Sequence, residues 1–189
     1  MASKTILRWQ IAGFFVLITI GALLHFTYRW SEFNPIVGLF SSVNESVWEH
    51  FKLGFTSLLL FSAVEYAFIG KGNNRYFLAK AIGIIALDLF IAVFFYIYTS
   101  FTGDDILILD IISFVIACAI CQLAVYRILT DEHPIKAPNT VGISVISVFA
   151  ALLFVFTFWP PQKPMFEDPN RHTYGTEWHV DPEDRTHDH

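Results

Sequence analysis

Charge is scarce in this chain of 189 residues: Asp, Glu, Lys and Arg together make up 15%. Lysine and arginine nowhere gather into a basic stripe, so nothing is present to hold a nucleic-acid backbone. The net charge of -5 owes much to the last thirty residues. Cysteine is limited to Cys118 and Cys121, which excludes a disulfide framework. Their C-x-x-C spacing lies inside an apolar run, whereas redox pairs sit at exposed helix starts. They read as core residues, and no second pair exists to complete a zinc site. A phosphate loop, a nucleophile elbow and an H-E-x-x-H pair are all missing. No enzyme class of familiar motif is therefore announced.

What the chain has in excess is apolar surface: 54% hydrophobic and 17% aromatic residues. That composition places it among membrane proteins. Lys4 and Arg8 before the apolar run Ile11–Leu24 have the look of a signal peptide. No small-residue cleavage site follows, so the run reads as a retained first span. Further apolar segments cover 51–69, 77–98, 106–127 and 140–159, after a first one at 10–28. Each approaches the twenty or so residues that cross about 30 Å of hydrocarbon as a helix. The fold class is thus all-α, a five-helix transmembrane bundle over 1–159, with a tail over 160–189.

Basic residues set the orientation. Lys4, Arg8, Lys71, Arg75, Lys80, Arg127 and Lys136 fall on one side of the bilayer. The other side has Arg29 and Lys52, and its second loop carries Asp104 and Asp105. A multi-pass protein of the cell membrane follows, with its N-terminus cytoplasmic and its C-terminus extracytoplasmic. Trp9, Trp30, Trp48 and Trp159 lie near span ends, as an aromatic belt requires.

The first external connection, Ser31 to Ser42, is too apolar for a solvated loop and too short to span. A re-entrant or interfacial segment fits it. Ser42 and Glu45 have capping-box spacing, so the second span is expected to become helical near residue 43. The tail holds Pro160, Pro161, Pro164, Pro169 and Pro182 among acids and four histidines, His172, His179, His187 and His189. It reads as an irregular segment laid over the outer face, losing order toward its end.

The densest polar cluster is Asn44-Glu45-Ser46-Val47-Trp48-Glu49-His50-Phe51-Lys52. On a helix Glu45, Glu49 and Lys52 would share an arc of about 60°. Two carboxylates at i, i+4 repel unless a cation, a proton or Lys52 lies between them. His25, near the outer end of span one, and Asp110, about one turn into span four, come to the same depth. His25, Glu45, Glu49, His50 and Asp110 are therefore the candidate catalytic or metal residues. The alternatives are an interfacial Glu–Lys pair in headgroup water, or a polar network that locks the apolar loop; Asn34, Asn44 and Lys52 are the further polar residues at membrane depth there.

Two acids fall at bilayer depth, Asp88 and Asp110. Small residues share their faces: Ser113, Ala117, Cys121 and Ala124 for Asp110, Ala81 and Ala92 for Asp88. Small residues mark close helix approach, so both acids should point inward. A proton relay or ion site competes there with a neutral, hydrogen-bonded acid. Glu65, toward the cytoplasmic end of span two, is expected to pair with Lys71 or Arg75 or to snorkel. The tail histidines are too irregularly spaced for a metal site and read as part of a solvated acidic tail.

Asn34-Pro35-Ile36-Val37-Gly38-Leu39-Phe40, leading into Val43-Asn44-Glu45-Ser46-Val47-Trp48-Glu49-His50, resembles an uncharacterised family of small prokaryotic multi-span membrane proteins. Pro160-Pro161-Gln162-Lys163-Pro164-Met165-Phe166-Glu167-Asp168-Pro169 with Tyr174-Gly175 is similar to that family's end. The likeness runs to about Gly175, and the acidic, histidine-bearing extension departs from it. The resemblance implies the five-helix architecture and names no substrate.

Three functions compete. The first is ligand or partner binding, or an accessory role, served by the outward-facing Asn/Glu/His cluster. The second is an intramembrane hydrolase or transferase acting on a lipid-linked substrate. One divalent metal ion or a proton on the candidate residues would activate water there. The third is a small ion or solute transporter using Asp88 and Asp110. The bilayer is the certain partner; a membrane protein or a second copy of the chain is the further one.

Overall fold

The computed structural model describes residues 3–133, 136 and 138–177. Its helices are α1 (Ser3–Trp30), α2 (Pro35–Gly38), α3 (Val47–Glu65), α4 (Tyr76–Thr102), α5 (Leu107–Thr130) and α6 (Pro138–Phe158). A π-helical stretch, Tyr66–Gly70, prolongs α3, and a 3-10 turn, Pro164–Phe166, follows α6. Five of these helices are long and apolar enough to cross a membrane. They match the five apolar segments of the sequence, each extended by polar ends. With exposed Ile85, Leu89 and Val93 on α4 and Val141, Val148 and Val155 on α6, this is a membrane protein with a lipid-facing apolar surface.

The bundle has two ends. The amino end carries the start of α1, the α3–α4 connection and the α5–α6 connection. The tail end carries 31–46, 103–106 and 159–177. Within the bundle α4 packs on α3, α5 and α6, while α1 packs on α3 and α5. The α4–α6 contact depends on Gly142: a Cβ there would collide with the backbone of Phe77 and Leu78. Gly103 ends α4 in the left-handed region (φ 78°), where a side chain is strained. Ser113, Ala117 and Cys121 are buried on α5, as their small size predicts. Cys118 and Cys121 are both free, buried core cysteines.

Two ion pairs lie inside the bundle. At the amino end Glu65 pairs with Lys80 and accepts hydrogen bonds from Gln10 Nε2 (2.7 Å) and the Tyr76 hydroxyl (2.8 Å). Lys80 also lies over the Tyr76 ring, 5.1 Å from its centroid. Glu65 therefore does not reach for Lys71 or Arg75. It is fully buried, and its partner comes from the next helix, so no spacing along one helix reports it. Arg75 instead meets Asp131 at 3.2 Å.

At the tail end Lys52 pairs with Glu49 and donates to Gly38 O (2.7 Å) and Thr157 Oγ1 (2.9 Å). One ammonium thus ties α2, α3 and α6. Trp48 is no belt residue. It is buried between Phe51, Phe156 and Phe166, with the Phe166 ring centroid 4.9 Å away. Trp30 and Trp159, in contrast, are exposed at helix ends.

The tail end as a candidate ligand site

The segment before α3 determines the site. Ser46, not Ser42, caps α3: its hydroxyl accepts from Glu49 N at 3.3 Å. Ser46 and Glu49 have the capping-box spacing one helical turn later than Ser42 and Glu45. The Glu49 carboxylate reaches back to accept from Val43 N at 2.9 Å. That bond leaves Glu45 outside the helix. The i, i+4 arrangement of Glu45 and Glu49 therefore does not form, and the two acids face different partners. Glu49 turns inward to Lys52.

Glu45 turns to two histidines. Its Oε1 lies 3.5 Å from His25 Nε2 on α1, and its Oε2 lies 3.7 Å from His50 Nε2 on α3. The two imidazole centroids are 5.4 Å apart. One ligand-type atom from each of the three residues lies within 4.8 Å of the others. All three side chains are half-buried. His50 Nδ1 is 2.8 Å from Ser46 O, so this nitrogen carries a proton, and in the neutral ring Nε2 presents a lone pair.

A cleft of about 90 Å³ opens beside them, lined by His25, Arg29, Asn44, Glu45 and Arg171. Its roof is the chain after α6. Asn44 Nδ2 donates to Gly175 O (3.0 Å) and Glu45 N to Asp168 Oδ2 (3.1 Å). Asp168, fully buried, also accepts from Asn170 N and Arg171 N. Next to it the Glu167 carboxyl is held below its ordinary value by the His172 side chain and the Tyr174 hydroxyl. A larger cavity of about 350 Å³ lies between α4 and α6, but Ile84, Val145, Phe149 and similar residues make it apolar, Ser144 aside.

The remaining candidates lie elsewhere. Asp110 accepts from the Tyr98 hydroxyl at 2.6 Å and, among the described residues, forms no hydrogen bond or ion pair with His25, Glu45 or His50. Asn34 caps α2 by accepting from Ile36 N at 2.9 Å. Asp88 is buried in α4, and neither carboxyl oxygen has a hydrogen-bond partner among the described residues. His172 pairs with Glu167, while His179, His187 and His189 lie outside the described residues. Arg171 and Asp168 escape sequence reasoning altogether. Their only signal is the segment Phe166-Glu167-Asp168-Pro169, which carries the family likeness.

Residues 1–176 match the Family of unknown function (DUF6512), and the chain belongs to it. The match ends at Thr176, within one residue of where the likeness to that family stops in the sequence. No curated protein and no solved structure matches the chain.

Proposed function

We propose that the tail end of this membrane protein faces outside the cytoplasm and serves as a binding head, with its ligand held by His25, Glu45 and His50. The distribution of basic residues supports the orientation: Lys4, Arg8, Lys71, Arg75 and Arg127 belong to the amino end. Cysteines placed at Asp104 and Asn74 test it. Only Asp104→Cys should react with a membrane-impermeant maleimide in intact cells, because native Cys118 and Cys121 are buried.

One contrast carries the binding reading. Glu65 is closed off by Lys80, Gln10 and Tyr76, and Oε2 of Glu49 is engaged by Lys52 and the Val43 amide. Glu45 and His25 instead border a cleft, and Glu45 stands off from both His25 and His50 at separations longer than a good hydrogen bond. Residues kept for a ligand can be replaced with little loss of stability, whereas a locking network cannot. The triple variant His25→Ala, Glu45→Ala, His50→Ala should therefore unfold within about 1 kcal/mol of the parent. A loss as large as that of a Lys52 variant would return the cluster to a structural role.

A hydrolase or transferase acting on a lipid-linked substrate is the second reading. Arg29 and Arg171 on the cleft wall support it, since guanidinium groups suit phosphate oxygens at headgroup depth. A transporter has Asp88 in its favour. Its carboxyl, without a hydrogen-bond partner among the described residues, lies in α4, and Asp110 on α5 is engaged by Tyr98.

A further inference from the structure

We infer that His25, Glu45 and His50 bind one divalent transition-metal cation of the zinc class, an assignment that rests on the binding reading above. The spacing of the donors is the first argument. Zinc binds imidazole nitrogen and carboxylate oxygen at about 2.0–2.2 Å, so neighbouring ligand atoms of a tetrahedral site stand about 3.3 Å apart. The two Nε2–Oε separations here are 3.5 Å to Oε1 and 3.7 Å to Oε2 of the one carboxylate, and one donor atom from each residue lies within 4.8 Å of the others. The two separations are long for direct N–H···O bonds and close to a coordination edge.

The second argument is orientation. A metal-bound histidine commonly donates its other ring nitrogen to a carbonyl, which fixes the tautomer and aims the lone pair. His50 does this with Ser46 O at 2.8 Å, which leaves Nε2, 3.7 Å from Glu45 Oε2, as the nitrogen free to ligate. Glu45 is itself positioned by its amide, held on buried Asp168. The three donors come from α1, the 39–46 segment and α3, so the folded chain assembles a site that no local motif contains.

The third argument is donor chemistry. Two imidazoles and one carboxylate suit zinc, iron, nickel or copper, whereas magnesium and calcium take oxygen donors. Three protein ligands leave a fourth position open, as in zinc sites that receive water or a substrate. The cleft supplies space for it, with Arg29, Asn44 and Arg171 on its wall.

The test uses the full chain purified in detergent, stripped with a chelator and titrated with Zn²⁺ against a chromogenic competitor. A background variant with His172, His179, His187 and His189 changed to alanine separates tail binding from the cluster. The expectation is about one zinc per chain in the parent and in the tail variant. His50→Ala and Glu45→Gln should each bind about 100-fold more weakly. Co²⁺ substitution should give the visible absorption of a low-symmetry tetrahedral site, lost in Glu45→Gln. Size-exclusion profile and thermal midpoint in chelator confirm that these variants are folded. Zinc binding that follows the tail histidines, or that survives both cluster changes, overturns the assignment, as does absence of binding in the parent. Should the parent bind no metal while the alanine triple variant keeps its stability, the cation falls and the binding cleft stands. Should that triple variant unfold like a Lys52 variant, both fall.

Discussion

Replacing Lys52 by methionine keeps most of the side-chain volume and deletes one charge. The residue is 0% exposed, and its partner Glu49 is 1% exposed. Without the ammonium, Glu49 retains the Val43 amide, and Gly38 O and Thr157 Oγ1 lose this donor. Breaking a buried pair from one side costs about 3–5 kcal/mol, because the remaining charge stays desolvated. For a domain of this size, that corresponds to a fall of about 6–20 °C in thermal midpoint. The double variant Glu49→Gln, Lys52→Met removes both charges together. It should recover at least half of the loss, since a neutral replacement of a buried pair is often tolerated. Thermal unfolding of the detergent-solubilised chain, followed by intrinsic fluorescence with Trp48 in the affected core, provides the assay. A Lys52→Met midpoint within about 2 °C of the parent, or a double variant no better than the single one, would refute the claim that this pair holds α2, α3 and α6 together.

Other expectations follow the same logic. The lowered Glu167 carboxyl stabilises the tail above the ordinary value of 4.5, and this contribution disappears as pH falls through its depressed folded value. His172→Ala should weaken protection of the Asp168 and His172 amides at neutral pH and flatten its loss on acidification, measured by hydrogen exchange. Gly142→Leu should separate α6 from α4 and cost more than the 1–3 kcal/mol or so typical of overpacking, because the obstacle is backbone. A cysteine pair spanning that interface would then cross-link less efficiently. Asp88→Leu should raise stability by about 1–3 kcal/mol, since two buried oxygens without partners are removed. A lower midpoint would refute this and show that the Asp88 carboxyl is held by a stabilising partner.

The five long helices are legible in the sequence because hydropathy over twenty residues is a strong, local signal. The polar cluster at the start of α3 is legible too, as are the inward face of α5 and the buried cysteines. The internal wiring is less so. Two serines, Ser42 and Ser46, each precede a glutamate by three residues, and spacing alone cannot rank them. Val43 N bonding to Glu49 decides it, and with it which acid faces the histidines. Glu65 finds Lys80 across a helix interface, where the nearer basic residues along the chain are Lys71 and Arg75. Trp48 lies near a span end but is claimed by Phe166, which comes from a distant segment. A backbone amide in the preceding loop decides the first and partners from other helices or segments the other two, and periodicity along one helix carries no record of them.

The bond from Lys52 to Thr157 also bears on how the chain is made. Synthesis delivers α3 long before α6. Throughout that interval a lysine and a glutamate lie in the forming bundle with one acceptor still missing, and loop 41–46 lacks the Asp168 and Gly175 contacts that later cover it. Completion of the last helix and the twenty residues after it is thus the event that closes the tail end. A chain cut short before Thr157 exposes an unfinished polar surface, and that surface distinguishes it from the finished protein for any protease that surveys the membrane.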